Sequence, residues 1–445
     1  MKNSSIKFIN HASVVVTSGS TSLLTDPWYY GDAFHKGWNL IVEQTKEEIA
    51  NMLNEVTHIW ISHEHPDHFS IKFFLDFKDK ILENSIKIIF QKTKDRRVIS
   101  FLKKQNFLVK ELSFNKGYKI GEEFTVKCIK DGFYDSALFI NTKHNKILNL
   151  NDCEITTNER ANEIFDIVGE CDILLTQFSY AAWKGGEENI NWRKLASEEK
   201  LQSIEIQINT LKPKLVIPFA SFVYFSNERN KYLNDSTNTP KKIFEKFSHY
   251  KNLINIMKPF DKILTNTDEF KNNDSSAYWV EKYNSIPNKS FHRYNKIDFY
   301  ELNNLFKAYQ KRIFKNNNKY LIKIAKNLSP ISIFKNIAIK LDDINQIVLI
   351  DIFSKELTTT SSEPDLIMSS ESLKFLLSNS FGFDTLTVNG CFEQGKKDGF
   401  ENAAKSLAIE NLNNMGIYFN LFIFFNFQVI IYFFKRLNKI RKKIN

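Results

Sequence analysis

Apolar and polar positions follow two alternating periods along the first 220 residues. Residues 13–16 are a β-branched run, Gly19 marks a turn, and Leu23-Leu24-Thr25-Asp26-Pro27 follows. This spacing predicts a hairpin whose second strand ends at Asp26. Residues 46–53 place Ile49, Met52 and Leu53 on one stripe, as a helix would. Continuous apolar runs predict buried strands at 57–62 and 86–90, with a helix over 98–104 between later elements. Strands are expected at 124–129, 137–141 and 147–150, the last two joined by a turn at Lys143-His144-Asn145. A helix beginning near Ala161 leads to a strand over 172–175. Residues 197–211 then set Leu201, Ile204, Ile208 and Leu211 on one stripe and feed a strand at 215–217. Strands alternating with helices predict an α/β class. Residues 226–300 are polar, so the first domain is expected over 1–265, with a polar linker over 266–300. A smaller α+β domain is expected over 301–415, and a hydrophobic, basic tail over 416–445.

Length and composition add limits. A chain of 445 residues is long for one domain. Its 42% hydrophobic and 25% charged residues describe a folded chain rather than a disordered one. The net charge of +10 is uneven. Lys435, Arg436, Lys439, Arg441, Lys442 and Lys443 lie in the tail without an acid, so the body is close to balanced. That excludes the basic body of a nucleic-acid-binding protein. Cys128, Cys153, Cys171 and Cys391 form no Cys-x-x-Cys pair, which leaves no sequence basis for an iron–sulfur cluster in this chain. With no apolar run over residues 1–10, the cytoplasm is the expected compartment.

The chemistry concentrates in Ser62-His63-Glu64-His65-Pro66-Asp67-His68, directly after a predicted buried strand. His63 and His65, two apart in an extended turn, point the same way and can grip one cation. Asp67 and His68, on the next turn, can grip a second beside it. Imidazole and carboxylate donors suit zinc, manganese or iron. Two such ions can share a water, lower its pKa and supply a nucleophile near neutral pH.

This block resembles the signature of the metallo-β-lactamase superfamily. The resemblance implies an αββα sandwich, followed here by the smaller α+β domain. The superfamily's later acidic motif is similar to Leu148-Asn149-Leu150-Asn151-Asp152-Cys153, which makes Asp152 an expected ligand, bridging if two ions bind. His11-Ala12-Ser13 and Leu24-Thr25-Asp26-Pro27 resemble a branch with lactone-opening and phosphodiester-cleaving members. More specifically, the chain resembles the metallo-β-lactamase-like part of CMP-N-acetylneuraminate hydroxylases. The matching residues are Thr25-Asp26-Pro27-Trp28 with residues 34–40, the histidine block, residues 146–149 with Asp152-Cys153, Pro218-Phe219-Ala220, Lys231-Tyr232 and Asn238-Thr239.

Two departures shape the expectation. The hydroxylases carry a Rieske domain with Cys-x-His and Cys-x-x-His ligands, and neither pair occurs in this chain. The superfamily's third and fifth ligand histidines are also not evident. Asp131 and Asp135 lie where the third would come from, and Ala220 and Ser221 stand in place of the fifth. The expected metal residues are therefore His63, His65, Asp67, His68, Asp152, Asp131 and Asp135, holding one or two divalent ions, with zinc ahead of iron or manganese. A carboxylate-richer set moves the balance toward iron or manganese.

The leading functional expectation is a hydrolase working through a metal-bound hydroxide, with Asp67 or Asp152 moving the proton. One alternative is an iron-dependent hydroxylase of a CMP-sialic-acid-type nucleotide sugar, supplied with electrons by a separate Rieske partner. Another is a non-catalytic binding protein with a degraded site. In each case the partner is a small molecule. The loop 180–186 and the aromatics Trp28, Tyr29, Tyr30 and Trp38 either line the pocket or only pack. Residues 365–373 with 386–390 resemble the strand–helix–strand of a sterol-carrier-type domain, or belong to a generic α/β cap. Residues 417–434 are nearly all apolar and as a helix would be about 27 Å long. With the basic cluster after them they predict attachment to the cytoplasmic face of a membrane, the alternative being a pair of buried strands.

Overall fold

The computed structural model describes residues 4–250, 252–265, 275–328, 333–407, 409–414 and 416–420. The chain divides into two units, Met1–His292 and Arg293–Asn445. In the first, strands run in chain order as β1 (Ser5–Asn10), β2 (Ser13–Ser18), β3 (Thr21–Thr25), β4 (Trp38–Leu40), β5 (His58–Ile61), β6 (Lys87–Gln91) and β7 (Leu108–Leu112). They continue as β8 (Gly117–Gly121), β9 (Phe124–Lys130), β10 (Ser136–Thr142), β11 (Lys146–Asn151), β12 (Ile173–Gln177), β13 (Leu215–Phe219), β14 (Val223–Phe225) and β15 (Lys262–Leu264). The helices are α1 (Lys46–Leu53), α2 (Ile71–Asp76), α3 (Lys78–Glu83), α4 (Arg97–Lys104), α5 (Asn158–Val168), α6 (Ile190–Leu211), α7 (Pro240–Lys246) and α8 (Ser276–Asn284).

Two mixed sheets form, ordered β15-β1-β2-β3-β5-β6-β7 and β13-β12-β11-β10-β9-β8. Strands β3, β5, β6 and β7 are parallel, as are β11, β12 and β13. Such strands are covered on both faces, which is why every residue of β5, β12 and β13 is buried. Ile59, Ile61, Ile88 and Phe90 on one face pack with Ile49, Leu53, Phe73, Phe74, Ile99 and Leu102 from α1, α2 and α4. Trp60 and Ile89 on the other face join Val126, Leu138 and Ile140 of the second sheet. Ile164 of α5 and Leu201, Ile204 and Ile208 of α6 extend that core. The architecture is the αββα sandwich.

Local signals account for several boundaries. Helix α1 starts at a capping box: the Thr45 hydroxyl accepts from Glu48 N, and the Glu48 carboxylate accepts from Thr45 N at 2.8 Å. Pro218 is tolerated inside β13 because that strand ends its sheet's order. Helix α6 begins seven residues before the apolar stripe at 197. Its first turns expose Trp192 and Leu195, so no inward stripe marked them.

Of the expected linker over 266–300, residues 275–300 lie within the described residues. Helix α8 belongs to the first unit, where Trp279 is fully buried, stacks on Phe222 with ring centroids 4.0 Å apart, and donates its indole N–H to Met257 O. A polar flank hid one deeply anchored helix. Trp279→Ala is expected to cost about 3–5 kcal/mol. Chemical denaturation should show this loss; a midpoint shift no larger than that of a surface substitution would contradict the anchor.

In the second unit a five-stranded sheet runs in the order Thr358–Thr359, Gln346–Ile350, Ile337–Leu341, Leu366–Met368 and Phe392–Gln394. Leu366–Met368 and the helix Ser370–Ser378, capped by Ser369, fall where the pattern placed them. Residues 386–389, read as a strand, belong instead to the helix Gly382–Asn389. Phe383 and Leu386 are buried at helical spacing, and Gly390 ends the helix in the left-handed region. Among the described residues, no helix is long and apolar enough to cross a membrane. Residues 417–420 lie outside any helix, with Phe419 N donating to the Asn317 side chain; the remainder of the apolar tail lies outside the described residues.

Candidate metal centre

The ends of β3, β5 and β11 deliver Asp26, the histidine block and Asp152 to one region. Loops after the carboxyl ends of parallel strands are where α/β folds place ligands. Four non-glycine residues turn sharply at strand ends here, with positive φ: His11 (38°), Asp26 (37°), Asn151 (55°) and Ala220 (52°). Holding side-chain-bearing residues there costs about 1–3 kcal/mol each, a strain that gathers at functional sites.

His63 Nε2 lies 2.9 Å from His65 Nδ1 and 3.5 Å from Asp135 Oδ1. His68 Nε2 lies 3.2 Å from Asp152 Oδ2 and 3.3 Å from Asp67 Oδ2. His11 Nε2 approaches the same Asp67 oxygen at 3.3 Å. Three donor groups result, each with ligand atoms within 4.8 Å of one another: His63, His65 and Asp135; His63, His68 and Asp152; and His11, Asp67 and His68. His63, His68, Asp67 and His11 are buried, whereas the Asp152 side chain keeps 23% of its exposure and opens toward solvent.

Outer contacts orient these donors. His68 donates its Nδ1 proton to Asp26 Oδ2 at 3.2 Å, which turns Nε2 toward Asp67 and Asp152. A carboxylate behind a ligating imidazole is the usual way to fix its tautomer. Asp26 is itself held by Ser62 N at 2.7 Å and Asn151 Nδ2 at 2.8 Å. His63 Nδ1 meets Ser62 Oγ at 2.9 Å. Gln177 donates to the Asp152 carbonyl at 2.8 Å.

The electrostatics fit a cation site. Burial, then the neighbouring His68 and His65, hold His63 well below its ordinary pKa, so its ring is neutral. Burial alone would lower His68, but Asp67 and Asp152 outweigh it and hold that ring well above. Burial would raise Asp67, yet His68 and His11 hold it well below. Burial pushes Asp135 up to about 7, with Asp152 and Asp131 adding to the rise against His65. Asp67 Oδ1 and Asp135 Oδ1 are buried without a hydrogen-bond partner among the described residues. Buried carboxylate oxygens left this way are costly unless something binds them. Imidazole and carboxylate donors with open valences fit a divalent transition metal.

The structure gathers six of the seven sequence-expected residues. Asp131 stands apart: its carboxylate accepts from Glu154 N at 2.8 Å and from Arg160 Nε and Nη2 at 3.1 and 2.8 Å. The Arg160 guanidinium holds it, and of the two acids Asp135 is the one that lies beside His63 and His65. Asp131→Ala is expected to leave metal content unchanged while lowering thermal stability; loss of metal would return Asp131 to the ligand set. His144 is exposed in the β10–β11 turn, as the pattern placed it. Sequence reasoning missed His11 as a neighbour of Asp67 and Asp26 as the brace of His68. Both lie in the early segments that carry the resemblance, but contacts across 56 and 42 residues have no local signal. Of the aromatics, Trp28 sits edge-on to His11, and Tyr29 is buried with its hydroxyl 2.7 Å from Ser13 Oγ, so both pack behind the site.

No family model matches the chain. Cytidine monophosphate-N-acetylneuraminic acid hydroxylase of Danio rerio is 25% identical over 258 residues, covering 54% of this chain and 42% of the relative. The Xenopus laevis protein of the same name is 26% identical over 247 residues, covering 52% and 40%. The chain thus spans about two fifths of the length of these curated relatives. Among solved structures, the diiron β-hydroxylase CmlA of Streptomyces venezuelae aligns with a TM-score of 0.43 at 12% identity, over 59% of this chain and 54% of that one. The chain folds as an αββα sandwich, and over about half its length it is similar in sequence to the cytidine monophosphate-N-acetylneuraminic acid hydroxylases.

Proposed function

We propose that this chain is the metal-binding part of an iron-dependent hydroxylase of a CMP-sialic-acid-type nucleotide sugar, with electrons from a separate Rieske-type donor. One observation carries the choice of iron over zinc: Asp135 joins His63 and His65 in a group of two imidazoles and one carboxylate. That composition is the one non-haem iron oxygenases use. The similarity to the hydroxylases supports the substrate class.

His63, His65, Asp135, His68, Asp67 and Asp152 would hold the metal. When bound, iron supplies the reaction with dioxygen: a substrate C–H and O₂, with two electrons and two protons, give C–OH and water. The chain's own part is placement. Asp26 fixes the His68 tautomer, and burial of the histidines keeps bulk water from their ring nitrogens. The carboxylate of Asp152, the most exposed donor of the central group, would face substrate and hold a proton. Lys200, half-buried on α6, interacts with Glu154, Asp152 and Asp135. Burial pulls its ammonium below the usual value against those carboxylates. In this reading its ammonium would meet an anionic sugar nucleotide.

A second reading is a hydrolase. Its support is that none of the four cysteines forms a Rieske pair with a histidine, and hydrolysis needs no electron entry. Metal analysis of protein purified from medium supplemented with both metals tests the choice. Iron is expected. Zinc alone, with esterase or phosphodiesterase turnover, would replace the proposal with the hydrolase. Absence of any bound metal would leave a non-catalytic binding protein.

A further inference from the structure

We infer that His11 is a metal ligand that completes a second position with His68 and Asp67. The inference rests on the metal-binding reading above and names a residue outside the histidine block. His11 lies in the two-residue turn between β1 and β2, 52 positions before His63.

Its geometry does. His11 Nε2 and His68 Nε2 each lie 3.3 Å from the same oxygen, Asp67 Oδ2. Two imidazole nitrogens converging on one carboxylate oxygen form a donor set of the kind that suits a divalent transition metal. Asp67 Oδ1 and His11 Nδ1 are both buried without a hydrogen-bond partner among the described residues. A buried polar triad this incompletely satisfied is expensive unless it is built for a ligand.

The backbone is committed to the placement. His11 takes φ of 38°, a conformation in which a non-glycine side chain is strained. Asn10 braces the turn by accepting from His11 N at 2.9 Å while its own amide donates to Val42 O and to Gln44 Oε1. Trp28 packs edge-on against the ring with centroids 5.6 Å apart. The His11 carbonyl accepts from Ala220 N at 2.7 Å. His11 therefore adjoins Ala220, where the related pattern would have a histidine, and its imidazole fills that role from the neighbouring chain segment.

The consequence is a symmetric donor count. His63, His65 and Asp135 form one set of two imidazoles and one carboxylate; His11, His68 and Asp67 form a second, with Asp152 beside His68 and His63. The chain has rebuilt a two-metal centre with a different third and fifth ligand rather than lost half of it.

His11→Gly tests this, because glycine accepts positive φ and leaves an imidazole-sized space. Metal-free full-length protein is titrated with cobalt(II), and the bound ions are counted by equilibrium dialysis, with the visible cobalt bands as a second readout. Wild type is expected to take two ions. His11→Gly, shown folded by circular dichroism, should take one tightly and the other at least about tenfold more weakly. Free imidazole should restore the second. Two tightly held ions in His11→Gly would overturn the inference while leaving the metal-binding reading intact. One ion in wild type would also overturn it. No cobalt in wild type would overturn both. If His11→Gly fails to fold, His11→Asn, which tolerates the same φ, is titrated instead with the same expected loss.

Discussion

His68→Ala is expected to strip the protein of metal and abolish turnover. Its Nε2 stands 3.2 Å from Asp152 and 3.3 Å from Asp67, so one substitution removes a donor shared by two of the three groups. Water in the vacated space is a weaker and less oriented donor. The change also removes a hydrogen-bond partner from buried Asp26, so a lower melting temperature should accompany the metal loss. His63→Ala should act in the same way, since His63 is likewise shared, whereas His65→Ala removes a donor from one group only. Metal counted per folded chain is the readout. Unchanged stoichiometry in all three variants would remove the assignment of the site.

Asp152→Ala is expected to be as damaging as the histidine changes, and His144→Ala close to silent. Asp152 follows β11 through the left-handed turn at Asn151 and is held by Gln177. It supplies the carboxylate of the central group and is the most exposed donor of that group. His144 lies exposed in the β10–β11 turn and belongs to none of the three groups. The pair is a control within one hairpin: both variants change a titratable residue, and only one should change metal content. Metal binding that survives Asp152→Ala but fails in His144→Ala would invert the geometry.

Much of the first unit was legible because its signals are local. The 46–53 stripe, the apolar run ending at Ile61 and the turn at His144 needed only period and punctuation. The motif after Ile61 was legible because four metal-binding side chains within six residues are rarely placed there for packing. What was not legible depends on distance along the chain. Asp26 reaches His68 only once β3 pairs with β5, and His11 reaches Asp67 only once the β1–β2 turn folds over the same edge. That Asp131 pairs with Arg160, while Asp135 lies beside His63, was not legible, because Arg160 lies one helix further on. Trp279 was hidden in a polar flank, since a single large side chain can anchor a helix with little apolar stripe around it. In the second unit, Leu386-Thr387-Val388 carries strand-like residues, but burial of Phe383 and Leu386 selected the helix.

Oxygen tracing tests the central claim most directly. The full chain, loaded with iron(II) and supplied with a Rieske-type donor and its reductase, is incubated with a CMP-sialic acid under ¹⁸O₂ in ordinary water. The proposal predicts a product heavier by one oxygen, with that oxygen drawn from the gas and lost in His68→Ala. An unlabelled product whose new oxygen comes from labelled water in the mirror experiment would contradict it and identify a hydrolase.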